Sequence, residues 1–181
     1  MIPVPNAITL LRLVLMPFIG ATLWRRHDAL AATLLAVSAL SDWLDGHLAR
    51  RLDLRTRFGA IADPLADKAT MLTVTLILAL QQALPWWLAL AIVLRDVIIL
   101  AGAAAYRWRA GSIEMAPTRI SKLNTALQFL LLLGVLGARA GAPLPAELIQ
   151  LLALATLATV LGSGAQYVLE WSRKARQIGR G

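Results

Sequence analysis

Residues 42–50 read DWLDGHLAR and residues 59–67 read GAIADPLAD. Together these segments place four carboxylates in an otherwise apolar stretch of the chain: Asp42, Asp45, Asp63 and Asp67. A carboxylate in an apolar environment is costly unless it is paired, protonated or bound to a cation. The first question that the sequence raises is therefore what neutralises these four side chains.

The rest of the chain is also strongly apolar. Hydrophobic residues make up 59% of the 181 residues, and the mean hydropathy is +0.68. Apolar runs of about 18–22 residues recur, which as helices are long enough to cross a bilayer's hydrocarbon core. We predict an all-α polytopic membrane protein, a single domain over residues 1–181. A soluble buried bundle fits poorly, since too few polar residues remain to cover it.

Six membrane-spanning helices are predicted in one bundle. Asn6 is a residue type that favours a helix N-cap, so we expect the first helix to start there. The first apolar run lacks a basic segment before it, so we expect a retained span rather than a cleaved signal. The six spans cover about 7–24, 29–50, 59–81, 86–106, 119–138 and 147–171.

Basic residues fix the expected orientation of the bundle. The net charge is +8 and the pI is near 11.3, which in a soluble chain would suggest nucleic acid. Here, however, 12 of the 18 Lys and Arg residues fall in the even-numbered loops, at the span ends that flank those loops, or in the C-terminal tail, against 3 in the odd-numbered loops. The positive-inside rule then places both termini in the cytoplasm. We expect no nucleic-acid partner, an inner (cytoplasmic) membrane location, and an active site near the cytoplasmic face.

Helical spacing predicts that the four carboxylates converge. If residues 42–50 continue the second helix, Asp42, Asp45, Gly46 and Ala49 lie on one face of it. Asp63 and Asp67 are four residues apart and share a face of the third helix. A short connection makes these two helices antiparallel neighbours, so that the carboxylates form an all-oxygen cage.

This donor set favours hard divalent cations. The chain has no cysteine, and carboxylate oxygens suit Mg²⁺ or Mn²⁺ better than zinc. Each divalent ion balances two carboxylates, so charge balance points to two ions, an arrangement suited to displacement at phosphorus. An ion-pair network, or the proton or ion site of a transporter, is the alternative explanation. A transporter should also show repeat symmetry or paired broken spans, and neither is evident.

The two segments together resemble the signature of the CDP-alcohol phosphotransferase family. Every fixed position of that signature is present in residues 42–50 and 59–67, with eight residues between them. The resemblance implies an integral membrane enzyme that moves a substituted phosphate from a CDP-linked donor to an alcohol and releases CMP. The specific part of the resemblance is residues 42–67, within a chain of the expected size and span number.

The resemblance also implies roles for individual residues. Asp42, Asp45, Asp63 and Asp67 would bind the metals, and Asp67 would also act as the general base on the acceptor hydroxyl. The CDP-linked donor would be bound by residues on both segments: Asp45, Gly46, Ala49, Arg50 and Gly59. Residues 2–12 and 41–46 resemble the branch of the family that uses CDP-diacylglycerol as donor.

Two other stretches carry information about the acceptor. Arg95 is a charged residue within the fourth span, and Arg119 and Lys122 open the fifth span, where a helix N-terminus and cations suit an anionic phosphate. We predict that these three residues bind the acceptor. A structural ion pair for Arg95–Asp96, and a purely topological role for Arg119 and Lys122, are the alternatives.

The sequence of residues 117–125, PTRISKLNT, resembles the cardiolipin synthase branch of the family more than the phosphatidylglycerophosphate synthase branch. We therefore expect phosphatidylglycerol as the acceptor, with glycerol 3-phosphate as the alternative. The sequence leaves the preferred metal, the acyl chains and the oligomeric state open. Gly134-x-x-Gly137 is a spacing that mediates helix packing and makes a homodimer a further option.

Overall fold

The computed structural model describes the backbone of residues 4–52, 57–110 and 118–178, and the side chains of residues 14–41, 66–102 and 118–169. Within those ranges all regular structure is helical, which confirms the predicted all-α class. The six helices are α1 (Val4–Trp24), α2 (Asp28–Leu52), α3 (Arg57–Leu80), α4 (Trp86–Ala110), α5 (Arg119–Arg139) and α6 (Ala146–Ile178). Each helix coincides with a predicted span to within a few residues, except that α6 continues further towards the C-terminus.

The predicted N-cap of the first helix is wrong. Helix α1 begins at Val4, so Asn6 lies inside its first turn. Pro5 is compatible with this earlier start, because the first turn of a helix does not require the N–H that proline lacks.

The chain divides into two compact units. The first contains residues Met1–Leu84 and Leu132–Leu144, and the second contains Pro85–Leu131 and Pro145–Gly181. In the first unit, α1 packs against both α2 and α3. The core of that unit is aliphatic and includes Ile19, Leu23, Leu35, Val74 and Leu78, all buried. Helix α1 is thus the common support of the two helices that carry the carboxylate segments.

The second unit combines an apolar core with buried polar side chains. Helix α4 packs against α6, and Leu88, Ile92 and Val160 are buried there. Polar side chains are buried in the same unit: Arg95, Asn124, Gln128, Thr156 and Ser163. Large apolar side chains are exposed on the same helices, among them Leu90, Leu94, Val97, Leu151, Leu154 and Leu161. Several buried polar side chains, together with many large apolar side chains on the surface, differ from the usual arrangement in a soluble domain.

Three helices end in the same type of turn. Residues Arg26, Gln82 and Gly141 have φ of 62°, 59° and 92°. The next residue in each turn donates its N–H to a carbonyl five positions earlier: His27 to Thr22, Ala83 to Leu78, and Ala142 to Gly137, each at 2.9 Å. This pairing, with a left-handed residue after the helix, is the Schellman motif. It ends α1, α3 and α5 and produces the tight connections into α2, α4 and α6.

Two helices are long and apolar enough to cross a membrane: α5 (Arg119–Arg139), and residues Ala146–Leu169 of α6. Shorter apolar stretches occupy Val14–Trp24 of α1 and Asp28–Ser41 of α2. Within the described residues no other stretch is of this length and apolarity. The predicted number of six spans and the position of the termini stay predictions.

Candidate active site

The carboxylate segments lie on two helices, as predicted. Helix α2 continues to Leu52, so that positions 42–50 are helical, and α3 begins at Arg57, before Gly59. The helical period then places Asp42, Asp45 and Gly46 in register on one side of α2. It places Asp63 and Asp67 one turn apart on α3. The condition on which the predicted convergence rested, continuous helix through both segments, is met.

Most of the predicted metal and donor residues lie outside the described side chains. These are Asp42, Asp45, Gly46, Ala49, Arg50, Gly59 and Asp63. Among the described side chains, no group of three or more acidic or histidine residues could hold a metal ion. Because three of the four expected ligands fall outside that search, the metal cage stays a prediction. The composition of the donor set, four carboxylates at helical spacing, fits hard divalent cations.

Asp67 is the one carboxylate of the frame whose side chain is described. It is half-buried and has an interaction partner within the protein. Its neighbour Ala66 is buried, and Thr70, one turn further along α3, is buried with its hydroxyl donating to the Ala66 carbonyl at 3.0 Å. The inner face of α3 is therefore packed at Asp67. Asp67 therefore lies beside a packed face of α3 and is itself partly shielded from solvent.

Hydrogen-bonded side chains link the helix ends of the first unit that are remote along α2 and α3 from the carboxylate segments. Arg139, at the end of α5, donates to the Asp28 carboxylate at 3.1 Å and to the side-chain oxygen of Gln81 at 2.7 Å. Gln81 in turn donates to the carbonyl of Leu23, at the end of α1, at 2.8 Å. The ends of α1, α3 and α5 and the start of α2 are thereby linked. We call Arg139, Asp28 and Gln81 the Arg139 clasp.

Arg95 lies in a second polar cluster, within the other unit. Its side chain is buried, with 5% of its surface exposed. The guanidinium donates to Ser163 Oγ on α6 at 2.9 Å, to Asp96 Oδ1 on its own helix at 2.7 Å, and to Ser121 Oγ on α5 at 2.6 Å. A buried arginine needs this kind of compensation, since an unpaired buried charge is strongly destabilising. The predicted Arg95–Asp96 ion pair is present, together with two hydroxyl partners on two other helices.

The start of α5 is capped by a threonine. Thr118 accepts a hydrogen bond from the Ser121 N–H at 3.2 Å through its Oγ1, and its carbonyl accepts from Lys122 N–H at 3.1 Å. This is the geometry of an N-cap residue. The cap defines where α5 begins, and it places Ser121 in the first turn of that helix.

The three predicted acceptor residues do not share one environment. Arg119 and Lys122 are exposed, whereas Arg95 is buried. Ser121, which contacts Arg95, lies about 100° around α5 from Lys122 and about 160° from Arg119, at about 100° per residue. Arg95 therefore contacts a side of α5 that is different from the side to which Arg119 and Lys122 are attached. Acceptor binding by the three residues stays a prediction, and Arg95 is the one held in place by partners on neighbouring helices.

A further set of buried polar residues was missed in the sequence. Asn124 is 1% exposed and accepts a hydrogen bond from Thr159 on α6 at 3.0 Å. Ser163, one turn beyond Thr159, is fully buried and donates to the Val160 carbonyl at 3.3 Å. A helical spacing was visible in both helices: Ser121, Asn124 and Gln128 on α5, and Thr156, Thr159 and Ser163 on α6. Polar residues that recur at this spacing in apolar helices indicate a helix–helix seam.

Comparison with known proteins gives a family match over most of the chain. Residues 2–162 match the family described as CDP-alcohol phosphatidyltransferase. This range contains both carboxylate segments and Arg95, Asp96 and Ser121, ends one residue before Ser163, and includes residues of both compact units.

Two relatives illustrate the range of named functions. The chain is similar to the cardiolipin synthase (CMP-forming) / mitochondrial hydrolase fusion protein of Schizosaccharomyces pombe, with 34% identity over 97% of this chain and 32% of that protein. It is also similar to the CDP-diacylglycerol–glycerol-3-phosphate 3-phosphatidyltransferase of Pectobacterium atrosepticum, with 34% identity over 74% of this chain and 76% of that protein. The chain spans 32% to 58% of the length of the relatives named as cardiolipin synthases.

Proposed function

The chain belongs to the CDP-alcohol phosphatidyltransferase family, and from this premise we propose that it is a membrane enzyme of phospholipid synthesis. In the proposed reaction it transfers the phosphatidyl group of CDP-diacylglycerol to an alcohol and releases CMP. The observation that carries the proposal is the carboxylate frame itself. All fixed positions of the family signature fall on α2 and α3, inside the matched range.

The four carboxylates suit a pair of divalent cations. Asp42, Asp45, Asp63 and Asp67 would hold Mg²⁺ or Mn²⁺, because hard oxygen ligands are the ones that these ions prefer. When bound, the ions would supply positive charge that stabilises the phosphate oxygens of the donor. They would also neutralise the frame.

The chain's own residues would bind and orient the two substrates. Arg50 would pair with the donor diphosphate, and the small residues Gly46, Ala49 and Gly59 would leave room for the nucleotide. Asp67 would accept the proton of the acceptor hydroxyl, whose oxygen attacks the phosphorus that carries the diacylglycerol. The new P–O bond forms as the bond to the CMP oxygen breaks, and CMP leaves with that oxygen. Positioning and charge stabilisation are the main contributions that a protein makes to reactions at phosphorus.

We place the acceptor phosphate at Arg95, with Arg119 and Lys122 as further cations. Phosphatidylglycerol is the favoured acceptor, because residues 117–125 resemble the cardiolipin synthase branch and relatives of that name match the chain. Glycerol 3-phosphate is the second candidate. It is favoured by the glycerol-3-phosphate phosphatidyltransferases that match the chain over about three quarters of their own length.

A location in the membrane accounts for the distribution of side chains. Exposed leucines and valines on the described helices, with polar side chains inside, fit a protein surrounded by lipid. Trp24, Trp86 and Trp87 are exposed at helix ends, where interfacial tryptophans are expected. With the basic loops inside, both termini and the carboxylate frame would lie at the cytoplasmic side. A homodimer through Gly134 and Gly137 stays a prediction.

Product analysis tests the proposal. The purified protein is supplied with CDP-diacylglycerol and Mg²⁺ or Mn²⁺, and the lipids are separated after incubation with phosphatidylglycerol or with glycerol 3-phosphate. We expect a new phospholipid and an equal amount of CMP with one of the two acceptors. Cardiolipin formed only with phosphatidylglycerol supports the favoured acceptor, and phosphatidylglycerophosphate formed only with glycerol 3-phosphate supports the second. No CMP with either acceptor contradicts the proposed function.

A further inference from the structure

The guanidinium of Arg95 is held by three directional hydrogen bonds from three helices. Each of its three nitrogens has a partner: Nε has Ser163, Nη1 has Asp96 and Nη2 has Ser121, at 2.6 to 2.9 Å. A guanidinium has five N–H groups, so two remain without a partner in the described part of the chain. A rigid fork with two remaining donors is suited to oxygens of a phosphate.

The partners divide between charge compensation and orientation. Among the described side chains, Asp96 is the partner that balances the charge of Arg95, through the ion pair at 2.7 Å. Ser163 and Ser121 are neutral, so they do not balance the charge of Arg95. Their hydrogen bonds are directional, and they restrict the rotation of the planar guanidinium. Ser163 is suited to this, because its own hydroxyl hydrogen is directed to the Val160 carbonyl at 3.3 Å. Its oxygen is then left to accept from Arg95.

We propose that Ser163 is a positioning residue that orients Arg95 for the phosphate of the acceptor. This inference rests on the proposed function, since it concerns the acceptor site of that reaction. Ser163 lies on α6, which carries none of the predicted metal, donor or acceptor residues. It is also fully buried, so it acts through Arg95 and not by contact with a substrate in solution. Phosphatidylglycerol and glycerol 3-phosphate both contain the phosphate that Arg95 would bind.

Ser163→Ala tests the role with little change in volume. Removing the hydroxyl leaves Nε of Arg95 without its partner and allows the guanidinium to turn. We expect the KM for the acceptor to rise about tenfold, which is the size of effect of one lost hydrogen bond to a charged group. The KM for CDP-diacylglycerol should stay unchanged. Ser163→Thr keeps a hydroxyl at this position and should bring the acceptor KM back towards the wild-type value.

Thr156→Val is the matched control. Thr156 is also on α6 and fully buried, and its hydroxyl has no hydrogen-bond partner among the described residues. The control therefore removes a buried hydroxyl from the same helix without touching Arg95. Its acceptor and donor KM values should both equal those of the wild type. Thermal unfolding of all variants shows whether each is folded under the assay conditions.

The measurement is CMP release by the full-length protein, with phosphatidylglycerol and glycerol 3-phosphate varied in separate series. A rise in acceptor KM in Ser163→Ala alone, in whichever series is active, supports the positioning role. An unchanged acceptor KM in folded Ser163→Ala overturns it, as does an equal rise in the donor KM or an equal effect of Thr156→Val. Failure of the wild type to release CMP with either acceptor is a different result. It removes the proposed function and with it the acceptor site on which this inference rests.

Discussion

At the scale of single residues, the two roles proposed for Asp67, metal binding and proton transfer, can be tested separately. It is assigned both a metal and the acceptor proton, whereas Asp42 and Asp63 are assigned to the metals only, and Asp45 to a metal and the donor. Asp67→Asn retains an oxygen that can bind a metal but removes the basic group. We expect it to bind CDP-diacylglycerol with an affinity within a few-fold of wild type, while turnover falls by about 10²–10⁴-fold, the usual contribution of a general base.

The control is Asp42→Ala, measured in the same binding and CMP-release assays. Asp42 is assigned only to the metals and alanine has no ligand oxygen, so this variant should lose donor affinity together with turnover. An Asp67→Asn protein that loses donor binding to the same extent as Asp42→Ala would contradict the division of roles.

Arg95 illustrates what could be predicted from the sequence at this scale. A charged pair inside an apolar span is visible without a structure, and the ion pair with Asp96 was one of the two predicted explanations. Ser163, which is 68 positions away along the chain, was not identified. A serine in an apolar helix has no pattern that names its partner. Only the packing of α4 against α6 brings the two side chains together.

At the scale of helices and turns, the Schellman motifs provide a test of backbone strain. Gln82 and Gly141 occupy equivalent positions with positive φ, which is costly for a residue with a Cβ. Gln82 is exposed, and a Cβ at Gly141 would meet nothing within 4 Å. Gln82→Gly should therefore stabilise the protein by up to about 1 kcal/mol, and Gly141→Ala should destabilise it by about 1–2 kcal/mol.

Chemical or thermal unfolding of both variants in the same detergent checks this pair. Ala140→Gly is a suitable control for glycine substitution, because Ala140 lies next to Gly141 in the turn after α5 and has no positive φ. It should be neutral or destabilising. Stabilisation by Ala140→Gly equal to that by Gln82→Gly would show that left-handed geometry is not the cause.

The Arg139 clasp makes a second prediction for the ends of the helices. The side chains of Arg139 and Asp28 are 17% and 11% exposed; Asp28 Oδ2 accepts from Arg139, and Asp28 Oδ1 has no partner among the described residues. Arg139→Gln would leave the Asp28 charge largely buried without its cation. We expect a loss of about 3 kcal/mol of stability, as for other broken buried pairs.

Arg25→Gln is the control for loss of a cation at the same end. Arg25 is exposed, so its replacement should change the stability by no more than about 0.5 kcal/mol. The double variant Asp28→Asn/Arg139→Gln should be more stable than Arg139→Gln alone. Equal unfolding midpoints for Arg139→Gln and Arg25→Gln would contradict a structural role for the clasp.

The helices themselves were predictable because they depend on local properties of the sequence. Apolar runs of membrane-crossing length, interrupted by Gly141, Pro145 and basic stretches, gave bounds close to those of all six helices. The left-handed residues Arg26 and Gln82 were not predicted, since neither has the residue type that favours positive φ. The Arg139–Asp28 pair, 111 positions apart, required the three-dimensional packing.

At the scale of the whole molecule, the proposed orientation can be tested directly because the chain contains no cysteine. Single cysteines can be placed in an odd-numbered loop, by Ala140→Cys, and in the C-terminal tail, by Ser172→Cys. We expect a membrane-impermeant maleimide to label Ala140→Cys in intact cells with a permeable outer envelope. It should label Ser172→Cys only after the inner membrane is opened.

The reason is the distribution of cations, with 12 in the even-numbered loops, their flanking span ends and the tail, against 3 in the odd-numbered loops. Labelling of Ser172→Cys in intact cells would contradict cytoplasmic termini. It would also move the carboxylate frame to the opposite side of the membrane from the one proposed. The cysteine-free wild type is the control for labelling of other groups.

The central claim is that the carboxylate frame on α2 and α3 transfers a phosphatidyl group from CDP-diacylglycerol. The most direct measurement is the rate of CMP release by the purified protein, with and without a chelator of divalent cations, for the wild type and Asp67→Asn. We predict release by the wild type that requires an added acceptor and Mg²⁺ or Mn²⁺, and a loss of at least about 10²-fold in Asp67→Asn. Release that persists in the chelator, or an unchanged rate in Asp67→Asn, would contradict the claim.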